Sequence, residues 1–200
     1  MSVKRRDLIT PLQLPIRQSV RLINYDYTQT GAYFITICTY KRELFFGNIT
    51  DGKIILSSSG EVVKTCWMGI KEHFTGTELS AFIIMPNHLH GIIIIKDDVG
   101  ARHAVPADFT KPSESFGKPI RCSLPTIIRS FKSAVTKQVN TKPGNKQIPF
   151  WQRGYYEHVI RNEKEFNEIG EYILGNPLKW ELDRENPYSI KKVKPLLFEC

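Results

Sequence analysis

Two strongly apolar segments joined by a Pro-Asn turn constrain the fold more than any other feature of this sequence. Leu79 to Met85 and His88 to Ile95 flank Pro86-Asn87 and are rich in isoleucine. Neither segment alternates between apolar and polar residues, a pattern typical of strands that are buried on both faces. The sequence therefore predicts two central strands in a sheet that has other elements packed against both sides.

The other regular elements are predicted from apolar periodicity, capping residues and turn signals. Asp51-Gly52 between two apolar runs indicates a hairpin, and Ser58 with Glu61 fits a capping box at the start of a helix. In chain order, the elements are a strand at 33–39, the hairpin, a helix at 58–76, the two apolar strands, a helix at 123–140, a strand at 156–160 and a helix at 162–176.

Leaving out the hairpin, this order is β-α-β-β-α-β followed by one more helix. It predicts an α+β fold of the ferredoxin-like, split βαβ plan, with an antiparallel sheet and two helices on one face. Because the histidine-bearing strand is apolar on both faces, the other face must also be covered. The extra C-terminal helix, which carries Tyr172, is the natural cover.

Composition divides the chain into three parts. Residues 1–30 form a basic N-terminal arm, 31–180 the folded domain with a variable loop at 97–122, and 181–200 a basic tail. The formal net charge of +8 favours a polyanionic partner. No apolar run is long enough for a membrane span, and the N-terminus lacks the apolar core of a signal peptide, so we expect a cytoplasmic protein without a membrane partner.

His88 and His90 are two residues apart on a predicted strand. Alternate side chains share a face, and a rise of ~3.3 Å per residue separates their Cβ atoms by roughly 6.6 Å. Two imidazoles at that separation can converge on one cation. The alternative is a pair of hydrogen-bonded core histidines. Two buried imidazoles without partners would be costly, which favours metal ligands.

The last predicted helix places Tyr172 and Asn176 four residues apart, and so on one face. Laid over the sheet, this helix can bring both side chains to the histidine pair, where Asn176 can offer an oxygen ligand. An oxygen donor beside two imidazoles suits Mg²⁺ or Mn²⁺. Tyr172 can act as a nucleophile only next to an activated phosphate, and the alternative is an amphipathic residue at the core edge.

Four segments carry these motifs in a fixed order. They are YDYTQTGAYFITICTYKRELFFG (25–47), MPNHLHGIII (85–94), SLPTIIRSFKSAVTKQVN (123–140) and FWQRGYYEHVIRNEKEFNEIGEYILGNPLKW (150–180). Together they resemble the single-tyrosine HUH transposases of the insertion-sequence-200 type, and most of all the branch of REP-associated tyrosine transposases. The resemblance spans most of the chain between residues 25 and 180.

This resemblance implies that His88, Leu89 and His90 are the HUH metal motif of a catalytic domain at 31–180. It implies that Asn176 completes the metal site and that Tyr172 is the nucleophile. The implied reaction is metal-assisted cleavage and rejoining of single-stranded DNA next to hairpins such as REP palindromes, through a 5′-phosphotyrosine. Transposing relatives often carry Gln where this chain has Asn176, so the resemblance implies DNA cleavage and leaves mobility of a whole element open. Monomers and homodimers are both compatible with the resemblance.

Three basic residues are expected to contact DNA phosphates: Arg153, Arg161 and Lys132. For each of them, an ordinary solvated surface charge is the alternative interpretation.

Two other functions compete with DNA strand transfer. Tyr33 and Phe34 on the first strand fit a nucleic-acid-binding module without chemistry, because RNA-binding domains share the split βαβ plan. A metal-dependent phosphodiesterase that uses activated water would not need Tyr172.

Overall fold

The computed structural model describes residues 27–96, 122–141, 149–183 and 185–189. The predicted N-terminal arm, nearly all of the loop at 97–122 and the basic end of the tail lie outside these residues. The helices and strands are β1 (Gly31–Cys38), β2 (Gly47–Thr50), β3 (Lys53–Leu56), α1 (Ser58–Met68), α2 (Ile70–His73), β4 (Thr77–Met85), β5 (His88–Ile95), α3 (Leu124–Asn140), β6 (Tyr156–Ile160) and α4 (Glu163–Gly175). Short 3₁₀ helices lie at Tyr40–Arg42 and Pro177–Leu182.

Four strands form one antiparallel sheet in the order β4-β5-β1-β6. This order confirms the ferredoxin-like plan, and α4 is the predicted extra helix. The prediction that both apolar strands are central was wrong for β4, which lies at the sheet edge. Its apolar character has another cause, because α1 and α2 contact it from one side and α4 from the other.

The two faces of the sheet divide by residue parity, as strand geometry requires. Odd-numbered residues of β1 and β5, such as Ile35 and Leu89, join the core formed with α1 and α3. Even-numbered residues, such as Ile92, join a smaller cluster with Ile173 of α4. His88 and His90 are even-numbered, so both point to the face that α4 covers.

Local signals place the connections between these elements. The hairpin of β2 and β3 turns at Asp51 and Gly52, whose φ angles are 51° and 69°, as predicted. The first helix is capped by Ser57 instead of Ser58, since the Ser57 Oγ accepts a hydrogen bond of 3.1 Å from the Gly60 N–H. Asn162 caps α4 as predicted, accepting from the Glu165 N–H at 2.9 Å. Among the helices of the described residues, none combines the length and the hydropathy of a membrane span.

Candidate active site

The two histidines of β5 lie side by side beneath α4. Their side chains are buried, with 0% of His88 and 3% of His90 exposed, and their Nε2 atoms are 3.0 Å apart. Gly91 follows them because the Trp67 ring presses against the other face of β5. A Cβ at residue 91 would lie 2.4 Å from Cζ2 of Trp67. The close packing behind β5 therefore holds the histidine strand against α1.

Asn87 determines the tautomer of His88. The Asn87 Nδ2 donates to the backbone carbonyls of Arg42, at 3.1 Å, and Glu185, at 2.8 Å. Its Oδ1 therefore faces the His88 Nδ1, at 2.8 Å, and accepts the ring proton. Burial, then the nearby His90 and Arg42, hold the pKa of His88 well below its usual value, so the ring is neutral. The lone pair of His88 consequently lies on Nε2, in the arrangement usual for a metal ligand.

His90 is oriented by its neighbours on β1. Thr36 lies opposite His90 in the strand register, and its Oγ1 is 2.8 Å from the His90 Nδ1. The Phe34 ring stacks on the imidazole of His90 with centroids 5.5 Å apart. A hydroxyl can donate or accept, so Thr36 can follow either tautomer of His90. The Nε2 of His90 can therefore present a lone pair next to that of His88.

Tyr172 of α4 reaches the histidine pair. Its hydroxyl is 3.4 Å from the Nε2 of His90, and its ring packs edge-on against Phe34 at 6.1 Å between centroids. The neighbouring Ile173 is fully buried and anchors this part of α4 to the sheet. Because 46% of Tyr172 is still exposed, the phenol lies between the buried site and solvent.

Two further side chains, Asn176 and Asp183, carry oxygen atoms that could bind a cation. Asn176 is 3% exposed, and its Oδ1 is buried without a hydrogen-bond partner among the described residues. Such an oxygen destabilises the fold by about 1–3 kcal/mol, a loss that a bound cation would remove. The Asp183 Oδ2 lies 3.8 Å from the His88 Nε2. His88, His90 and Asp183 offer ligand atoms within 4.8 Å of one another, a nitrogen and oxygen set that fits Mg²⁺ or Mn²⁺.

Two Haemophilus influenzae proteins are similar to this chain over most of its length. No protein-family profile matches the chain. A Haemophilus influenzae protein of uncharacterised function is 39% identical over 168 residues, which are 84% of this chain and 92% of that protein. A second Haemophilus influenzae protein, named as a candidate REP-associated tyrosine transposase, is 27% identical over 167 residues, 82% of this chain and 81% of that protein. In sequence, the chain therefore resembles a REP-associated tyrosine transposase over most of its length.

A solved structure also supports the fold assignment. It is a REP-associated tyrosine transposase bound to a REP hairpin, and it superposes with a TM-score of 0.53. The match covers 80% of this chain and 73% of that protein at 19% sequence identity, so it shows a shared fold.

Among the basic residues expected to contact phosphates, Lys132 has structural contacts within the chain. Its Nζ donates to the carbonyls of Gln152, at 2.8 Å, and Gly154, at 2.7 Å, and lies 5.8 Å from the centre of the Trp151 ring. Burial lowers the pKa of Lys132 to about 8, although Cys38 partly offsets this effect. These contacts fasten the 151–154 segment to α3, and a phosphate contact of Lys132 stays a prediction.

The two arginines lie on the surface. Arg153 is exposed in the loop that Lys132 holds, and Arg161 is exposed just before α4. Within α4, nine residues of helical rise separate Glu163 from Tyr172, about 13.5 Å along the axis, and Arg161 lies two residues before Glu163. Arg161 therefore lies about two helical turns or more from Tyr172 along the chain, and both phosphate contacts stay predictions.

Sequence reasoning missed three residues that contact the histidine pair: Thr36, Asn87 and Asp183. The Pro86-Asn87 pair predicts only a turn, although an amide next to a histidine motif is a usable signal for an orienting hydrogen bond. Thr36 could have been found from strand register alone, because it lies opposite His90. Asp183 gives no local signal, since it lies 95 residues from His88 in a polar segment that has no periodicity.

Proposed function

We propose that this chain is a DNA strand-transfer enzyme that cuts and rejoins single-stranded DNA next to hairpins, with Tyr172 as its nucleophile. One observation carries the proposal: the Tyr172 hydroxyl lies 3.4 Å from the Nε2 of His90 within a single chain. The REP-associated relatives support hairpin DNA as substrate, since one of them was solved bound to a REP hairpin. The net charge of +8 is consistent with this partner.

The proposed step is a transesterification at phosphorus. The oxygen of Tyr172 forms a bond to the phosphorus as the P–O3′ bond breaks, the phenol proton is released, and the leaving oxygen becomes a 3′-hydroxyl. The 5′-phosphate stays on the tyrosine as an ester. Rejoining reverses the step, because a 3′-hydroxyl attacks the phosphotyrosine and restores the diester. The bond energy is conserved, so no nucleotide cofactor is needed.

His88, His90 and Asn176 would hold a divalent cation, Mg²⁺ or Mn²⁺. The chemistry expected of a cation at that position is polarisation of a phosphoryl oxygen. The chain itself supplies the orientation of the site. Asn87 holds His88 in the tautomer with a free Nε2 lone pair, and Phe34 supports the ring of Tyr172. All of these groups come from one subunit, so the proposed chemistry does not require a partner to deliver the tyrosine.

The alternative of a nucleic-acid-binding module without chemistry is less consistent with the packing of the sheet. Such modules bind RNA through aromatic residues on an open sheet face. Tyr33 is fully buried on the face of α1 and α3, so its ring cannot stack on a base. Phe34 lies on the face that α4 covers and contacts His90 and Tyr172.

The test is a covalent-adduct assay. Single-stranded DNA with a REP-like hairpin, labelled at its 3′ end, is incubated with the protein and Mn²⁺ and separated on a denaturing protein gel. The labelled fragment should migrate with the protein, because the tyrosine retains the 5′-phosphate of that fragment. Tyr172→Phe should abolish the adduct, whereas Tyr188→Phe, at a side chain 79% exposed, should leave it unchanged.

Two outcomes would contradict this proposal. An undiminished adduct with Tyr172→Phe would exclude Tyr172 as the nucleophile. Full cleavage by Tyr172→Phe without any adduct would instead identify a phosphodiesterase that uses water.

A further inference from the structure

The segment that follows α4 is fastened to the turn in front of the histidine strand. The 3₁₀ helix Pro177–Leu182 leads into Asp183, and Glu185 behind it is 7% exposed. The Glu185 carboxylate pairs with the guanidinium of Arg42 and accepts a hydrogen bond of 3.4 Å from the Cys38 thiol. We call this ion pair, with its contact to Cys38, the Arg42–Glu185 clasp. It joins the segment after α4 to the end of β1.

Asn87 connects the clasp to the histidine site. Asn87, which orients His88, donates the protons of its amide to the backbone carbonyls of both clasp residues. Arg42 and Lys41 have φ angles of 60° and 51°, a backbone conformation that non-glycine residues rarely adopt. Strained backbone of this kind persists only where surrounding contacts enforce it, and it concentrates at functional sites.

The distances around His88 fit a shared cation. Bonds of about 2.1 Å in octahedral geometry place neighbouring ligand atoms about 3.0 Å apart and opposite ones about 4.2 Å apart. The Nε2 atoms of His88 and His90 are 3.0 Å apart, and the Asp183 Oδ2 is 3.8 Å from the His88 Nε2. The second distance is too long for a hydrogen bond. It falls within the range between two ligands of one ion.

We propose that Asp183 is a ligand of the cation bound by His88 and His90, and that the Arg42–Glu185 clasp positions it. The inference rests on the proposed function, because it concerns the metal of that site. A carboxylate adds a negative charge to a set of two neutral imidazoles, and ligand charge is a principal determinant of affinity for divalent ions. Cation binding is then linked to docking of the segment after α4.

The test measures Mn²⁺ binding by the full chain without DNA. Binding is followed by isothermal titration calorimetry and by quenching of tryptophan fluorescence, since the Trp180 ring lies 6.1 Å from that of His88. Asp183→Asn should raise the Kd at least about tenfold. The matched control is Glu181→Gln, an exposed acid in the preceding 3₁₀ helix, which should keep the wild-type Kd. His90→Ala should abolish binding.

Two variants test the clasp. Glu185→Gln removes the negative charge, and Arg42→Lys keeps the positive charge but removes the planar guanidinium. Each should raise the Kd about tenfold and change the visible spectrum of bound Co²⁺, which reports the ligand set. If these variants have a lower Tm in EDTA but keep the Mn²⁺ Kd and the Co²⁺ spectrum of the wild type, the clasp stabilises the fold and does not position Asp183.

The outcomes separate this inference from the proposed function. Wild-type Mn²⁺ affinity in Asp183→Asn, with binding lost in His90→Ala, would overturn the role of Asp183 and leave the histidine site intact. Absence of Mn²⁺ binding by the wild-type chain would overturn both.

Discussion

Asn87 offers the sharpest test of how the site is organised, because one side chain both orients His88 and supports the fold. Asn87→Ala removes three hydrogen bonds: one accepted from the His88 Nδ1–H and two donated to the carbonyls of Arg42 and Glu185. Without the amide oxygen, the tautomer that leaves a lone pair on the His88 Nε2 loses the hydrogen bond that favours it. We therefore expect a loss of both stability and cation affinity.

The two losses can be estimated separately. A hydrogen bond contributes about 1 kcal/mol net, so three of them amount to about 3 kcal/mol of unfolding free energy. For a chain of 200 residues this lowers the Tm by about 6–12 °C. Removal of the partner that orients a histidine ligand weakens metal binding by about 10–100-fold. The affinity loss is therefore about 1.4–2.7 kcal/mol.

Both quantities are measurable on purified protein. Thermal unfolding in EDTA gives the change in Tm, and titration with Mn²⁺ at a temperature well below both transitions gives the Kd of the folded state. Asn48→Ala, at an exposed asparagine of β2, is the control and should change stability by less than about 0.5 kcal/mol. A large fall in Tm together with an unchanged Kd would refute the tautomer argument, since the amide would then be only a structural contact.

Three further perturbations follow from the packing and electrostatics. Burial keeps His88 neutral in the folded state, so acid should destabilise the metal-free protein below the unfolded-state pKa near 6.5, by about 1.4 kcal/mol of unfolding free energy per pH unit. Urea unfolding at a series of pH values measures this dependence. It should be weaker in His88→Gln and unchanged in the control His73→Gln, at an exposed histidine. Gly91→Ala should lower stability by about 1–3 kcal/mol through the clash with Trp67, and Trp67→Phe in that background should restore part of the lost Tm. Tyr156 is 50% exposed on the same sheet face as the histidines, and we expect its ring to stack on an unpaired base. Tyr156→Ala should therefore weaken the binding of single-stranded oligonucleotides by about 1–3 kcal/mol, measured by fluorescence anisotropy. Tyr156→Phe keeps the ring and should bind as the wild type does.

The sheet and its order could be predicted from sequence because both rest on local signals. Capping residues, the Asp51-Gly52 turn and the apolar periods each act within a few residues, and together they leave one common topology. Strand parity then placed His88 and His90 on one face without further information. The prediction that β4 is a central strand was wrong for a related reason. Apolar residues on both faces of a strand indicate that helices pack on both faces, but they do not indicate how many strands lie beside it.

The side chains that complete the site could not be predicted in this way, because they are brought to it by tertiary contacts alone. Asp183 and Glu185 lie in the segment that composition assigned to a polar tail beginning at residue 181. In the structure, Glu185, Asn186 and Ser189 are buried, and the Arg42–Glu185 clasp connects this segment to β1. A truncation placed by composition at residue 180 would therefore remove an ion pair, the Asn87 acceptor at residue 185 and a carboxylate beside His88. The folded unit that contains the histidine site extends at least to residue 189, and any shortened form should be judged by its Mn²⁺ affinity as well as by its solubility.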